Sequence, residues 1–480
     1  MRRIYKEYIE CDSKRVLLRP FLPSKERAIG IAKKLENLSL EQCQRLLSEV
    51  YADFEHRHRN FNRFIEDQAE ELRKLIPLDL HHDVWLLLAT YHCQEYAVEA
   101  AALFNPSVVK SPDQSNTREG YSRFVLSMRS VGEGHLSSLT FRNLQLSIDG
   151  DLFLEPKGRF VTAPYIDADN LSNRNIFEAK VRERNLYNNV SAKILEKLPL
   201  NFSYSELQLQ IELAQSQSTS LNDEQRDSLA IMSRLAQRHY GIVYSDDIPI
   251  EEQIIFPHTP IEARGIEDAR FVEFDNGNER PSYIATYTAW DGSRIAPQLI
   301  ITNNFKKFNV RPLSGAQAKD KGLALFPRKI DGKYAMIGRQ DHQNMFIMFS
   351  DNLYLWRTRT LLQDCFSPWN YVQLGNCGSP IETERGWLLL IHGVGPVRTY
   401  VISALLLDRD NPTKVIGRLA EPIIKAASDR RDGYVPNVVY TCGVVVHAGT
   451  LFIPYAESDQ RISFISFSLA QILNLMQKAD

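Results

Sequence analysis

The chain has 480 residues, and its 44% hydrophobic, 24% charged and 10% aromatic content is that of an ordinary globular protein. Lys and Arg number 57 against 59 Asp and Glu, so the formal net charge of −2 provides no general attraction to nucleic acid or anionic lipid. The six cysteines are scattered without a CxxC pair, and no apolar run is long enough to span a membrane. We therefore expect a soluble protein of the cytoplasm, with reduced thiols and one to three domains.

The first part of the chain has the apolar spacing of amphipathic helices. Ser39 and Gln42 form a capping-box pattern at the start of one helix, and apolar residues at helical spacing predict another over 61–76. A third helix is predicted from about residue 83 to residue 103, with an alanine-rich end. Residues 1–103 are therefore predicted to form a helical N-terminal region.

From residue 104 to residue 480 the pattern is that of short strands separated by turn residues. The clearest strand-like runs are 123–128, 283–287, 298–302, 334–337, 387–392, 400–407, 435–442 and 451–455. Asp149-Gly150 and Asp331-Gly332 are hairpin turn signals. Many short strands without alternating long helices predict a mainly β domain, a propeller or a large barrel, over 104–480. A helix near 222–240 is predicted as an insertion into it.

The most informative motif is the run 265–270, in which Glu267 and Asp268 are followed closely by Arg270. Two adjacent carboxylates disfavour double ionisation, and a nearby arginine can hold one of them charged, so their pKa values are pushed apart. Acid chemistry on a sugar needs such a difference. The same Asp-x-Arg spacing also closes many ordinary loops, so the motif alone leaves both interpretations open.

Further polar residues stand at the predicted strand ends, where a propeller gathers its ligand groups. They are Asn105, Arg129, Arg294, Lys321, Arg339, His392 and Asp459. Each cation alone is typical of a solvated surface. Together they could converge into an oxyanion site, because phosphate is bound best by several charge-assisted donors.

The run Gly-Ile-Glu-Asp-Ala-Arg at 265–270 resembles the Gly-x-Glu-Asp-Pro-Arg signature of glycoside hydrolase family 130, the β-mannoside phosphorylases and related β-mannosidases. The resemblance extends from about Asn105 to Asp459, through the Leu-Phe-Pro run at 325–327 and the His-Gly-Val run at 392–394. It implies a five-bladed β-propeller, here preceded by an α-helical N-terminal region.

The resemblance also implies roles for single residues. Asp268 matches the general acid, which protonates the glycosidic oxygen through a sugar hydroxyl while phosphate attacks the opposite face. The expected phosphate-binding residues are Arg294, Lys321, Arg339 and His392, and the expected mannose-binding residues are Asn105, Arg129, Glu267 and Asp459. No metal or organic cofactor is implied, and inorganic phosphate is the co-substrate.

We therefore expect an inverting β-mannoside phosphorylase that converts a mannose-containing oligosaccharide and phosphate to α-mannose 1-phosphate, with no nucleic-acid or membrane partner. Two alternatives stay open: a β-mannosidase with Asp320 or Asp341 as base, and a non-catalytic carbohydrate-binding propeller. The chain departs from the family pattern at Ala269, where proline is usual, and at Gly338, where many phosphorylases have histidine. The helical elements could cover the sugar cleft or build a homo-oligomer.

Overall fold

The computed structural model describes residues 2–167, 169–217, 221–277 and 281–479. Strands hold 38% of the chain and helices 25%, so the fold is mainly β, as predicted. In the described ranges, no helix combines the length and the apolar character that crossing a membrane requires.

The helices lie in two groups, one near the start of the chain and one within the β region, with a short helix near the end. They are α1 (Lys25–Glu36), α2 (Leu40–Phe54), α3 (Phe61–Leu75), α4 (His82–Thr90), α5 (Arg174–Glu183), α6 (Asn189–Lys197), α7 (Tyr204–Gln217), α8 (Asp223–Gln237) and α9 (Leu469–Asn474). The capping box of α2 is confirmed: the Ser39 hydroxyl accepts from Gln42 N–H, and the Gln42 side chain accepts from Ser39 N–H.

The strands extend from the first described residues almost to the last. Those before residue 260 are β1 (Arg2–Glu10), β2 (Val16–Pro20), β3 (Cys93–Ala97), β4 (Ala102–Lys110), β5 (Tyr121–Val131), β6 (Ser137–Ser147), β7 (Leu152–Leu154), β8 (Tyr165–Asp167), β9 (Ser172–Asn173), β10 (Asn201–Phe202), β11 (Tyr240–Val243) and β12 (Ile254–Ile255).

The later strands carry most of the predicted runs. They are β13 (Gly265–Phe274), β14 (Ser282–Trp290), β15 (Ile295–Thr302), β16 (Lys307–Pro312), β17 (Ala324–Leu325), β18 (Tyr334–Gly338), β19 (Met345–Ser350), β20 (Thr360–Gln363), β21 (Gln373–Asn376), β22 (Ile381–Thr383), β23 (Gly386–Val394), β24 (Tyr400–Leu407), β25 (Val415–Leu419), β26 (Ile424–Lys425), β27 (Val439–Tyr440), β28 (Val445–His447), β29 (Thr450–Glu457), β30 (Arg461–Ser468) and β31 (Met476–Lys478). The run predicted over 435–442 is a strand only in β27.

Antiparallel pairing joins these strands into successive groups along the chain. The groups are β4–β7, β13–β16, β17–β20, β21–β26 with β31, and β27–β30 with β1. A parallel pair, Gly265 with Ser137, links the first two groups, and β11 and β8 extend the second. Because β1 pairs with β30, the first strand is held in the last group.

The first strands of different groups approach one another closely. Phe271 N–H donates to the Ser107 hydroxyl at 3.1 Å, and Cys442 N–H donates to the Pro106 carbonyl at 2.8 Å. A Cβ on Gly443 would lie only 2.2 Å from Ser107 Oγ, so only glycine allows this approach. These contacts bring residues that are far apart in sequence to one place.

The N-terminal region is only partly helical, which corrects the prediction for residues 1–103. Helices α1–α4 share one apolar core, but β1 belongs to the last strand group and β2 pairs with β3. The helix predicted over 83–103 ends at Thr90. Its alanine-rich end is strand and loop instead, because pairing with β2 and burial of Glu99 beside Arg15 override helix propensity.

The predicted helix near 222–240 exists as α8, and it is part of a larger insertion. Helices α5–α8 pack around a core of their own that includes Phe177, Phe202 and Met232. The Asn222 side chain caps α8, and Tyr240 already belongs to β11. The insertion therefore spans about 174–237 and rests on the second strand group.

Candidate active site

The polar residues singled out in the sequence converge, with two exceptions, around one cavity of about 270 Å³. Among the side chains that line it are Phe104, Asn105, Arg129, Asp268, Arg270, Lys321, Arg339, His392, Arg398, Tyr400, Tyr440 and Asp459. They come from several strand groups, so no single group could form the cavity. The exceptions are Glu267, which lies behind the lining, and Arg294.

Two β-bulges aim polar side chains into this cavity. The pairing of β13 with β14 shifts register between Glu267 and Arg270, and Asp268 takes a left-handed backbone with φ 55°. The pairing of β4 with β5 shifts in the same way next to Asn105, whose φ is 50°. Such conformations are disfavoured for residues other than glycine, and they cluster at functional sites. The Asn105 amide donates to Asp268 Oδ1.

Arg129 holds both carboxylates of the motif. Its Nη2 donates to Glu267 Oε1 at 2.6 Å and its Nη1 to Asp268 Oδ1 at 3.3 Å, while its guanidinium lies over the Phe104 ring. Lys321 Nζ donates to the other oxygen, Glu267 Oε2, at 2.5 Å. Glu267 thus has both oxygens bound by cations, and its observed contacts position Arg129 and Lys321.

Arg270 supports the acidic loop through its backbone. Its Nη1 donates to the Asp268 carbonyl at 2.8 Å and its Nη2 to the Tyr440 hydroxyl at 2.7 Å. The side chain is almost fully buried. The arginine of the motif therefore fixes the bulge that presents Asp268, as a clamp between two strand groups.

The two carboxyls that face the cavity differ in pKa. Burial opposes ionisation of Asp268, but Arg129, Arg270 and Lys321 outweigh it and hold the pKa of this carboxyl below its ordinary value. For Asp459, burial together with the negative charge of Asp268 raises the pKa to about 7, although Arg129 opposes the shift. Asp459 Oδ1 is buried and has no hydrogen-bond partner among the described residues. At neutral pH Asp459 is therefore the more protonated of the two.

His392 is an uncharged member of the cationic part of the cavity. Burial, and then the charges of Arg339 and Arg270, hold its pKa well below the ordinary value. Its Nδ1–H donates to the Asn376 carbonyl at 3.2 Å, which leaves Nε2 to accept from the amide of Gln373 at 3.2 Å. With this tautomer Nε2 can accept a hydrogen bond from a P–OH group, and the positive charge there comes from Lys321 and Arg339.

The structure shows what surrounds the candidate base Asp320 and the two departures from the family pattern, Gly338 and Ala269. Asp320 does not line the cavity: its carboxylate lies 2.9 Å from His342 Nδ1 and 3.9 Å from Arg339 Nε, where it supports the arginine from behind. A Cβ on Gly338 would lie 2.3 Å from the Gln340 side chain, so this position has no room for a histidine without rearrangement. Ala269 packs in the core of the second strand group.

Neither carboxylate considered as a hydrolytic base is placed for that role. Asp320 faces His342 and Arg339. Asp341 accepts hydrogen bonds from the backbone N–H groups of Gln343 and Asn344 at 2.9 and 2.7 Å, as the first residue of a turn. Both lie outside the lining of the cavity.

The structure does not bring Arg294 to this cavity. It stands on the exposed turn between β14 and β15, where its backbone N–H donates to Asp291. Arg398 and Tyr400 line the cavity instead, and sequence reasoning missed both. Tyr400 stacks on His392 with 5.8 Å between ring centroids. Gly393, Gly395 and Pro396, which follow His392, could have indicated these residues in the sequence, because they mark a turn beside the site.

In the part of the chain that the structure describes, no group of three or more His, Cys, Asp or Glu side chains is arranged to hold a metal ion. The chemistry that the cavity offers with its own residues is proton transfer by carboxyls and charge-assisted binding of an anion.

The chain is similar in sequence to known glycoside phosphorylases. The family model for glycoside hydrolase family 130, described as β-1,4-mannooligosaccharide phosphorylase, matches residues 237–478. A 1,2-β-oligomannan phosphorylase from Thermoanaerobacter sp. (strain X514) is 31% identical over 230 residues, which are 46% of this chain and 75% of the relative. A β-1,2-mannobiose phosphorylase from Listeria innocua is 27% identical over 239 residues, 47% of this chain and 64% of the relative.

The solved structure of the Listeria innocua β-1,2-mannobiose phosphorylase with β-1,2-mannobiose aligns with 20% identity and a TM-score of 0.45, over 79% of this chain and 92% of that one. The family model covers just over half of the chain, including Asp268, Lys321, Arg339 and His392. The chain therefore belongs to glycoside hydrolase family 130.

Proposed function

We propose that this protein is an inverting β-mannoside phosphorylase, which cleaves β-mannosidic linkages of manno-oligosaccharides with inorganic phosphate and releases α-mannose 1-phosphate. The observation that carries the proposal is that one cavity holds both the Asp268 carboxyl and the phosphate-compatible group Lys321, Arg339 and His392. Membership of the family, and relatives named as mannobiose and oligomannan phosphorylases, support the same reaction.

In the proposed reaction Asp268 supplies the proton that leaves with the departing sugar, relayed through a hydroxyl of the bound mannose. A phosphate oxygen attacks the anomeric carbon from the opposite face as the glycosidic C–O bond breaks, so the configuration inverts. In the usual inverting hydrolysis a carboxylate base activates a water molecule, which attacks the sugar. Here phosphate itself is the nucleophile, so no such base is needed. Asn105, Arg129 and Asp459 would contact the mannose, and Glu267 would hold Arg129 and Lys321 in position.

The depressed pKa of Asp268 fits this role once phosphate is considered. Arg129, Arg270 and Lys321 hold the carboxyl ionised when no other anion is near. A phosphate dianion bound by Lys321 and Arg339 adds negative charge close by and draws on the same lysine, so it raises the pKa of Asp268. Phosphate binding would therefore prepare the acid before the sugar bond breaks.

Arg294 is not carried into the proposed phosphate site, because it is exposed and lies outside the cavity lining. Arg398 and Tyr400 take its place in the proposal as lining residues with donor groups. We also propose that the five antiparallel groups are the five blades of a propeller over 104–480. The cavity would then lie at one end of the axis that the blades share. A cytoplasmic location and assembly through the helical elements stay predictions.

The decisive experiment supplies purified protein with β-1,2- and β-1,4-mannobiose, each with and without inorganic phosphate. We expect α-mannose 1-phosphate to form only when phosphate is present, and the preferred mannobiose to identify the linkage. Equal release of mannose without phosphate would contradict phosphorolysis and favour the β-mannosidase alternative. Glycan binding without any turnover would favour the non-catalytic propeller.

A further inference from the structure

A second group of cations lies where the helical insertion rests on the second strand group. Lys180 is on α5 and Arg184 directly follows that helix, while Arg238 follows α8 and Arg294 stands in the turn between β14 and β15. Lys180 and Arg238 are buried, and Arg184 and Arg294 are exposed. We call these four residues the insertion cations.

The two buried members are anchored at one point of the sheet. Lys180 Nζ donates to the Pro312 carbonyl at 3.3 Å, and Arg238 Nε donates to the Gln298 side chain at 3.3 Å. Gln298 and Pro312 are directly opposite each other in the pairing of β15 with β16. The ammonium and guanidinium groups are therefore held close together by a rigid pair of strands.

Counter-charges are scarce around this point. Within the described ranges, no carboxylate forms an ion pair with Lys180 or Arg238. The adjacent Glu183 instead pairs with Arg357 at 3.3 Å. The buried Glu262 reaches Arg238 only through Gln298, whose amide donates to Glu262 at 3.2 Å, and it also accepts from tyrosine hydroxyls. Burying a cation without a directly paired counter-charge is costly, so two such cations side by side favour a bound anion.

The pKa values of three insertion cations are lowered, which reflects the same excess of positive charge. Burial, followed by repulsion from Arg238, Arg311 and Arg184, lowers the pKa of Lys180 to about 7. Burial and then Arg184 lower the pKa of Arg238 to about 10, and burial and then Arg294 lower the pKa of Arg184. Because the cations repel one another, an anion between them would relieve all of these shifts at once.

We propose that the insertion cations form a second anion site, which binds a phosphoryl oxyanion other than the phosphate that attacks the sugar. Three arginine forks and an ammonium group match the several oxygens of a phosphate dianion, whereas a carboxylate has only two oxygens to offer. The source of the oxyanion is either inorganic phosphate or the phosphate group of a phosphorylated sugar. The site gives Arg294 an anion-binding role away from the catalytic cavity.

The proposed site lies beside the catalytic one. Glu267 pairs with Thr288, and Thr288 pairs with Pro297, the neighbour of Gln298. Two strand spacings separate the backbones of Glu267 and Pro297, which is about 10 Å. The two sites therefore lie on neighbouring strands of the same sheet.

The test measures how many phosphate ions bind and where. Inorganic phosphate is titrated calorimetrically into the wild type, Lys180→Met/Arg184→Ala, Arg339→Ala, and the control Arg226→Ala/Arg234→Ala, which removes two exposed arginines from the same insertion. We expect two sites in the wild type and the control. Lys180→Met/Arg184→Ala should weaken one site at least about tenfold, and Arg339→Ala should weaken the other by a similar factor.

The outcomes distinguish this site from the catalytic one. If Lys180→Met/Arg184→Ala binds as many phosphate ions as the wild type, and as tightly, the second site does not exist, whatever the enzyme catalyses. A single wild-type site that Arg339→Ala weakens and the double variant leaves unchanged has the same meaning. Should the double variant fail to fold, exposed Arg184→Ala alone must weaken the same site. In Arg339→Ala, tighter binding of α-mannose 1-phosphate than of phosphate identifies a sugar phosphate as the source, and equal binding identifies inorganic phosphate.

Discussion

Arg129 is the residue whose removal should disturb the site most. Its guanidinium binds both Glu267 and Asp268, and the three side chains are 17%, 4% and 13% exposed. Arg129→Met keeps an apolar stem of similar length over the Phe104 ring but removes the positive charge. The two buried carboxylates would then keep only the Lys321 bond to Glu267, the Asn105 bond to Asp268 and the nearby charge of Arg270.

The expected loss of stability follows from these contacts. Removing one partner of a buried ion pair costs about 3–5 kcal/mol, because the other partner is left buried and uncompensated. We expect Arg129→Met to lower the free energy of unfolding by an amount in this range at pH 7.5. Urea unfolding followed by tryptophan fluorescence measures it, with Arg182→Met, an exposed arginine paired with Glu178 on α5, as the control that should show no measurable loss.

The pH dependence separates this cause from a simple packing defect. The folded-state pKa of Asp268 is below its unfolded value, so its ionised form contributes stability above the unfolded pKa, and that contribution disappears as pH falls through the folded value. Arg129→Met removes a cation responsible for the shift. The unfolded-state contribution is the same in both proteins, so the difference between wild type and variant should be largest at neutral pH and shrink as the pH falls toward the lowered pKa of Asp268 in the wild type. A loss under about 1 kcal/mol, or one that does not change with pH, would refute the reasoning.

Three further predictions concern catalysis. Asp268→Asn should lower kcat/KM for mannobiose phosphorolysis by about 10²–10⁴-fold with calorimetric phosphate binding retained, and an active variant would exclude Asp268 as the acid. Gly375→Ala places a Cβ 2.4 Å from His392 Cε1 and should raise KM for phosphate, whereas Gly30→Ala, with nothing within 4 Å, should leave both kinetic constants unchanged. Since burial raises the pKa of Asp459 to about 7, its ionisation adds negative charge beside Asp268, so KM for the sugar should increase between about pH 6 and pH 8. Asp459→Asn should flatten that profile, and a profile that stays unchanged would contradict the assignment.

Local features were predictable because their causes are local. The capping box of Ser39 and Gln42, the helix α3 and the hairpin turn at Asp331-Gly332 each depend on residues within one turn of chain. The strands β14 and β15 were also predictable, because a buried strand shows a continuous run of apolar residues in the sequence.

The wrong helix over 83–103 shows where such reasoning fails. Residues 93–97 pair with β2, about 75 positions earlier, and Glu99 is buried against Arg15 and Arg142. Those partners are distant in sequence, so the local alanine content favoured a helix that the tertiary contacts exclude. The size of the insertion, with four helices where one was predicted, has the same origin.

The sequence by itself determined the family and the candidate acid, because Glu267, Asp268 and Arg270 stand in one contiguous motif that can be recognised without the fold. Only the tertiary structure decided which other side chains join them. Two bulges turn Asn105 and Asp268 toward one cavity, and packing of separate strand groups brings Arg398 there while it leaves Arg294 beside the insertion. The reason is physical: a bulge or a turn sets the direction of a side chain locally, but the point where several such directions meet depends on long-range strand packing.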